Sequence, residues 1–101
     1  MGLLDFLFGN KNNMIKEYQN RGAIIIDVRT PGEYSQGAIK GSKNIPLQNI
    51  NSKIETIKSF KKPVITCCAS GMRSGNAASI LKSNGIEAVN GGGWVSLKNQ
   101  L

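Results

Sequence analysis

Residue patterning predicts a single α/β domain: a small parallel β-sheet flanked by helices on both faces. Two β-branched, almost wholly apolar runs, residues 23–28 and 64–67, are too unbroken for half-exposed antiparallel strands and suit strands buried on both sides. Stretches with helical apolar spacing separate them, so the strands are joined by crossovers and pair in parallel. A chain of 101 residues, 40% of them apolar, fills one core and is too short for two.

The elements follow in chain order. Residues 1–9 are the most apolar stretch, but far short of the ~20 residues of a membrane span. They lack the basic region and small-residue cleavage site of a signal peptide. Phe6 stands where a myristoylation site carries Ser or Thr. A short amphipathic helix packed on the domain is expected there, which divides the chain into an apolar N-terminal segment, 1–13, and a domain, 14–101. The polar run 10–13 caps a helix from Met14 to Asn20, and Arg21-Gly22 ends it. After the first strand, Thr30-Pro31-Gly32-Glu33 turns into a helical turn at Glu33-Tyr34, with Pro31 at a position where its missing N–H costs nothing. Gly37 and Gly41 bracket Ala38-Ile39, and Asn44-Ile45 form a very short strand before Pro46. Leu47, Ile50, Ile54 and Ile57 recur at helical spacing, with Asn51-Ser52 dividing the region in two. Pro63 introduces the second strand. A loop, 68–73, then leads to a helix carrying Ala77, Ala78, Ile80 and Leu81 and closed by Asn84-Gly85. Residues 87–89 form a last strand, Gly91–Gly93 a turn, and Trp94, Val95 and Leu97 the apolar side of a final helix.

Thirteen Lys and Arg against six Asp and Glu leave a net charge of +7, which draws anions toward the surface. The basic residues are scattered, the longest run being Lys61-Lys62, and no aromatic platform is interleaved with them, so nucleic acid is not an expected partner. The two cysteines are adjacent, and histidine is absent. That combination excludes Cys–His catalysis and most zinc sites, and no metal or organic cofactor is implied. Neighbouring strand residues point to opposite faces, so a Cys67–Cys68 disulfide would be strained. Free thiols fit a reducing cytoplasm, and a monomer without a transmembrane segment is expected.

The chemistry concentrates at Cys68-Ala69-Ser70-Gly71-Met72-Arg73-Ser74. A buried strand delivers a thiol to a tight loop that runs into a helix N-terminus, beyond the carboxyl end of the sheet where ligands of such folds bind. Unpartnered backbone N–H groups and the helix dipole favour an anion above Cys68, and thiolate over thiol. Gly71 lets the backbone curl around the sulfur. Arg73 adds a forked cation, and Ser70 and Ser74 supply hydroxyls for the loop or the helix cap. Cys67 reads as a small buried apolar group.

These residues resemble the rhodanese homology domain. Its active loop is similar to Cys68–Ser74, and its early Asp-x-Arg strand and turn to Ile25–Tyr34, which contains Asp27 and Arg29. A third block matches Gly37–Gly41 with Asn44-Ile45-Pro46, and a fourth matches Gly91–Trp94, the whole spanning about residues 14–98. The resemblance implies a ping-pong sulfurtransferase. The Cys68 thiolate takes sulfane sulfur from thiosulfate, polysulfide or a protein persulfide and passes it to cyanide or a thiol, a thiol protein included. It also implies that residues 69–73 hold the persulfide and that Asp27 and Arg29 support the strand end, with an Arg29–Glu33 pair between them and the turn. The third block commonly has histidine where this chain has Ala38, which predicts a missing local hydrogen bond. With Ala69 and Met72 neutral, Arg73 is the loop's one cation, so thiosulfate, a dianion, is expected to be a poorer donor than polysulfide or a protein persulfide. Two other readings remain open. Counting from Cys67 gives the C-x5-R spacing of a cysteine-loop phosphatase or arsenate reductase, although the six-residue loop from Cys68 through Arg73 suits sulfur better. A non-catalytic redox or sulfur-carrier module would use the same exposed thiol.

Overall fold

A computed structural model describes residues 10–101, and the apolar segment 1–9, with the helix expected in it, lies outside those described residues. Four strands, β1 (Ile24–Asp27), β2 (Lys43–Asn44), β3 (Val64–Cys68) and β4 (Ala88–Gly93), form one sheet in the order β2-β1-β3-β4. Every neighbouring pair is parallel, with Ile24 opposite Val64 and Val64 opposite Ala88. Helices α1 (Asn10–Asn20), α2 (Pro31–Ser35), α3 (Ile54–Ser59), α4 (Met72–Ser83) and α5 (Trp94–Gln100) supply the crossovers and ends. The α/β class with both faces covered is therefore the one expected.

Two apolar layers hold the sheet. On one face Ile26, Val28, Val64 and Ala88 pack against Ile54 and Ile57 of α3 and Ala77, Ala78 and Leu81 of α4. On the other, Ile65 and Val89 meet Ile15 and Tyr18 of α1 and Leu97 of α5. Ile26, Ile57 and Leu81 are fully buried, and each such side chain contributes about 2–3 kcal/mol relative to leaving it in water.

Several boundaries differ from the sequence reading. Helix α1 starts at Asn10, so the polar run lies inside the helix and does not cap it. Asparagine lowers helix propensity by only a few tenths of a kcal/mol per residue, and the buried Ile15 and Tyr18 anchor the turns that follow. Strand β2 comprises Lys43 and Asn44 instead of Asn44 and Ile45, although the Ile45 N–H still donates to the Asp27 carbonyl at 3.0 Å. The last strand does not stop at Val89 but runs through Gly93, with an irregularity opposite Thr66–Cys68. The glycines there serve close backbone approach. A Cβ on Gly91 would lie 2.7 Å from the Thr66 carbonyl oxygen, and one on Gly93 would lie 2.8 Å from that of Ala69.

Candidate active site

Strand alternation sends the two cysteines to opposite faces. Cys67 packs in the layer with Ile15, Tyr18 and Leu97, and Cys68 in the layer with Ile50, Ala77 and Ala78. Both are fully buried free thiols. The sulfur of Cys68 sits inside the turn that follows it. Gly71 N–H donates to Sγ at 2.9 Å, Ser74 N–H at 3.4 Å, and the Ser74 hydroxyl lies 3.3 Å away. Gly71 has φ +102°, a left-handed conformation that side chains avoid, and this conformation turns its N–H back onto the sulfur. Ala69 and Ser70 form the exposed outer edge of the loop. Met72 and Arg73 belong to the first turn of α4 instead of the loop, and Met72 is 81% exposed.

The two thiols have opposite acidity. Burial pushes Cys67 up to about 12, with the nearby Asp27 carboxylate adding to the effect. Burial also raises Cys68, but the Ser74 hydroxyl and the N–H groups of Ser74, Gly71 and Ser70 outweigh it and leave that thiol more acidic than usual. Hydrogen bonds to the charged form favour it.

Asp27 and Arg29 form a buried ion pair at the end of β1. Arg29 Nη2 lies 2.7 Å from Asp27 Oδ2, and Nε donates to both carboxylate oxygens. Arg29 Nη2 also donates to the Gly37 carbonyl at 2.7 Å, and the guanidinium carbon lies 4.7 Å from the Trp94 ring centroid. The expected Arg29–Glu33 side-chain pair does not form, because Asp27 already takes the fork of donors. Instead Glu33 binds Arg73 with both oxygens, at 2.7 and 3.0 Å, while also closing a capping box with Thr30. These contacts hold the Glu33 carboxyl down at about 2, the Arg73 hydrogen bond first among them. Ser74 does not cap α4. Its hydroxyl is directed at Cys68 and Asn90. Sequence reading passed over Glu33 as the partner of Arg73, and over Thr66, whose hydroxyl donates to the Ser74 carbonyl at 2.8 Å. It also passed over Asn90. All three are reached only through the fold, since the Glu33–Arg73 partners are 40 positions apart.

Beside the loop, Val28, Thr30, Pro31, Pro46, Leu47, Gln48 and Arg73 line a mainly apolar pocket of about 270 Å³. A basic cleft of about 210 Å³ lies instead at the opposite, amino-terminal end of the strands, around Lys61, Lys62 and Pro63, where Arg21 is paired with Glu87. Among the described residues no three His, Cys, Asp or Glu side chains cluster as metal ligands, and no helix is long and apolar enough to cross a membrane.

A family model of the rhodanese-like domain matches residues 11–100. The chain belongs to the rhodanese-like domain family. It is 43% identical over 69 residues to the uncharacterized protein YqhL of Bacillus subtilis, covering 68% of this chain and spanning 54% of that protein's length. It is 36% identical over 69 residues to the thiosulfate sulfurtransferase PspE of Escherichia coli, covering 67% of this chain and 66% of the relative. A rhodanese structure from E. coli, solved with anions, superposes with a TM-score of 0.68 at 36% identity, over 73% of this chain and 89% of that one. The structure of reduced Bacillus anthracis CoADR-RHD gives 0.71 at 35% identity, over 88% of this chain but 16% of that much longer one. Around Ala38, where a missing local hydrogen bond was expected, other groups hold the turn. The Tyr34 hydroxyl donates to the Ser42 carbonyl at 2.7 Å, the Ser42 hydroxyl bonds the Ile39 carbonyl, and Arg29 bonds Gly37.

Proposed function

We propose that this rhodanese-like protein is a sulfurtransferase that carries sulfur as a persulfide on Cys68. The observation that carries this reading is the ring of N–H and O–H donors around the Cys68 sulfur, which favours the thiolate without any base beside it. In the first half-reaction Sγ attacks the sulfane sulfur of the donor. The donor's S–S bond breaks, the electron pair leaves with sulfite or a thiolate, and Cys68 holds the persulfide anion within reach of the 69–73 backbone. In the second, an acceptor thiolate or cyanide attacks the outer sulfur, the Sγ–S bond breaks, and the Cys68 thiolate is regenerated. Each step exchanges one bond to sulfur for another, so no external oxidant or reductant is consumed. Because Cys68 is fully covered at rest, loading requires the loop to open enough to admit the donor. Asp27 and Arg29 act as support, fixing the turn that walls the pocket. Catalysis proceeds in a cytoplasmic monomer without metal or organic cofactor.

Charge narrows the donor. Arg73 is neutralised by Glu33, so no side-chain cation of the loop remains to meet the second charge of thiosulfate. The neighbouring pocket is mainly apolar. Both features favour polysulfide or a protein persulfide as donor and a thiol, on a small molecule or a protein, as acceptor. A phosphatase register starting at Cys67 is disfavoured because that thiol faces the other side of the sheet, and the same geometry disfavours a Cys67–Cys68 disulfide switch.

Intact mass spectrometry of the reduced protein after polysulfide or thiosulfate, and again after added thiol, tests the proposal. A gain of one sulfur that persists in Cys67→Ala, vanishes in Cys68→Ala and is removed by thiol is the expected result. Failure to take up sulfur from either donor overturns it.

A further inference from the structure

Asn90 lies on β4 directly across from Thr66 of β3, in a glycine-rich stretch that reads as a turn. Its amide is used at both ends. Nδ2 donates to the Gly71 carbonyl at 3.0 Å, and Oδ1 accepts the Gly92 N–H at 2.9 Å and lies 2.7 Å from the Ser74 hydroxyl. Reversing the amide would set its NH₂ against the Gly92 N–H and its oxygen against the Gly71 carbonyl, so the network fixes one orientation. Glycines make the space. A Cβ on Gly75 would stand 3.2 Å from Nδ2, and one on Gly71 would stand 3.3 Å from the Gly92 Cα.

We infer that Asn90 is a positioning residue, clamping the active loop so that the Gly71 N–H and the Ser74 hydroxyl face the Cys68 sulfur. Gly71 is held on both sides. Its N–H meets Sγ at 2.9 Å, while its carbonyl takes one hydrogen bond from Gly75 N–H and a second from Asn90. Without the second donor, a residue free to leave φ +102° can swing its N–H off the sulfur. Ser74 adds a second link. Its hydroxyl has one proton and two acceptors, Asn90 Oδ1 at 2.7 Å and Cys68 Sγ at 3.3 Å. When the sulfur is neutral the proton rests on Asn90, and when it is a thiolate the charge draws the proton over. Asn90 thus acts on the thiolate in two opposing ways, favouring it through Gly71 and competing with it for the Ser74 proton.

Removing Ser74 separates them. The inference rests on Cys68 being the nucleophile, but the acidity of Cys68 is measurable without any sulfur transfer. We would titrate the thiolate absorbance of the full chain in a Cys67→Ala background, comparing Ser74→Ala with Ser74→Ala/Asn90→Ala. The clamp predicts that adding Asn90→Ala raises the Cys68 pKa by about one unit, a tenfold loss of thiolate at a pH below it, consistent with loss of a hydrogen bond to a charged acceptor. An unchanged pKa overturns it. Should the double variant not fold, Gly75→Ala serves instead. Introduced into Ser74→Ala, its methyl stands 3.2 Å from Nδ2, presses the amide away from the Gly71 carbonyl and should raise the pKa in the same direction, whereas no shift refutes the clamp. A protein that shows the shift yet takes up no sulfur upholds the clamp and refutes the transferase, and normal sulfur uptake with no shift does the reverse.

Discussion

Cys67 and Cys68 are chain neighbours on one strand, equally buried, yet their acidities diverge. Cys67 faces α1 and α5 among apolar side chains, with Asp27 as its charged neighbour, and its thiol is pushed up to about 12. Cys68 faces the start of α4 and is surrounded by donors that lower it despite the burial. Burial by itself makes a thiol inert. What distinguishes the second cysteine is a turn whose N–H groups have nowhere else to go.

Three substitutions break or sharpen that contrast. Asp27→Asn has the largest expected effect on stability, because it leaves the buried Arg29 guanidinium without its counter-charge. A loss of about 3 kcal/mol in urea unfolding is expected, together with a downward shift of Cys67 as one cause of its weak acidity disappears. Ser74→Ala brings the two cysteines closer. It removes the hydroxyl beside Sγ, a contact to a charged acceptor of about 1.5–3 kcal/mol, so the Cys68 thiolate should shift upward by ~1–2 units in a pH titration of alkylation rate. Glu33→Gln has the smallest effect and leaves both thiols in place. It frees Arg73, and the KM for thiosulfate should fall several-fold relative to that for polysulfide. The same variant shows the pH sense of the pair. The Glu33 carboxyl sits at about 2 when folded against an ordinary 4.5, so its stabilisation is present above pH 4.5 and is lost as pH falls toward 2. Acid unfolding curves of wild type and variant should converge across that window.

Much of this was legible in the residues, and the rest failed for identifiable reasons. The β-branched runs marked β1 and β3, Pro63 marked the entry to β3, the Asn84-Gly85 stop closed α4, and alternation along β3 separated Cys67 from Cys68. Strand β4 was read short because Gly91–Gly93 looks like a turn, whereas Gly91 and Gly93 are required by carbonyls of a neighbouring strand and loop. Arg29 was expected to pair with Glu33 in supporting the strand end, but Asp27 is buried with it and takes its donors, and Glu33 reaches across to Arg73. Asn90 carries no local mark at all. Its role exists only because the β3–β4 register brings it beneath Gly71 and Ser74.

The most direct test compares thiolate absorbance against pH in Cys67→Ala and Cys68→Ala. In Cys67→Ala the remaining thiol should ionise more readily than an ordinary cysteine, since its donors outweigh burial. In Cys68→Ala no thiolate should form until pH approaches 12. Two thiols titrating together near the ordinary value, or Cys67 ionising first, would contradict the assignment of Cys68 as the activated sulfur.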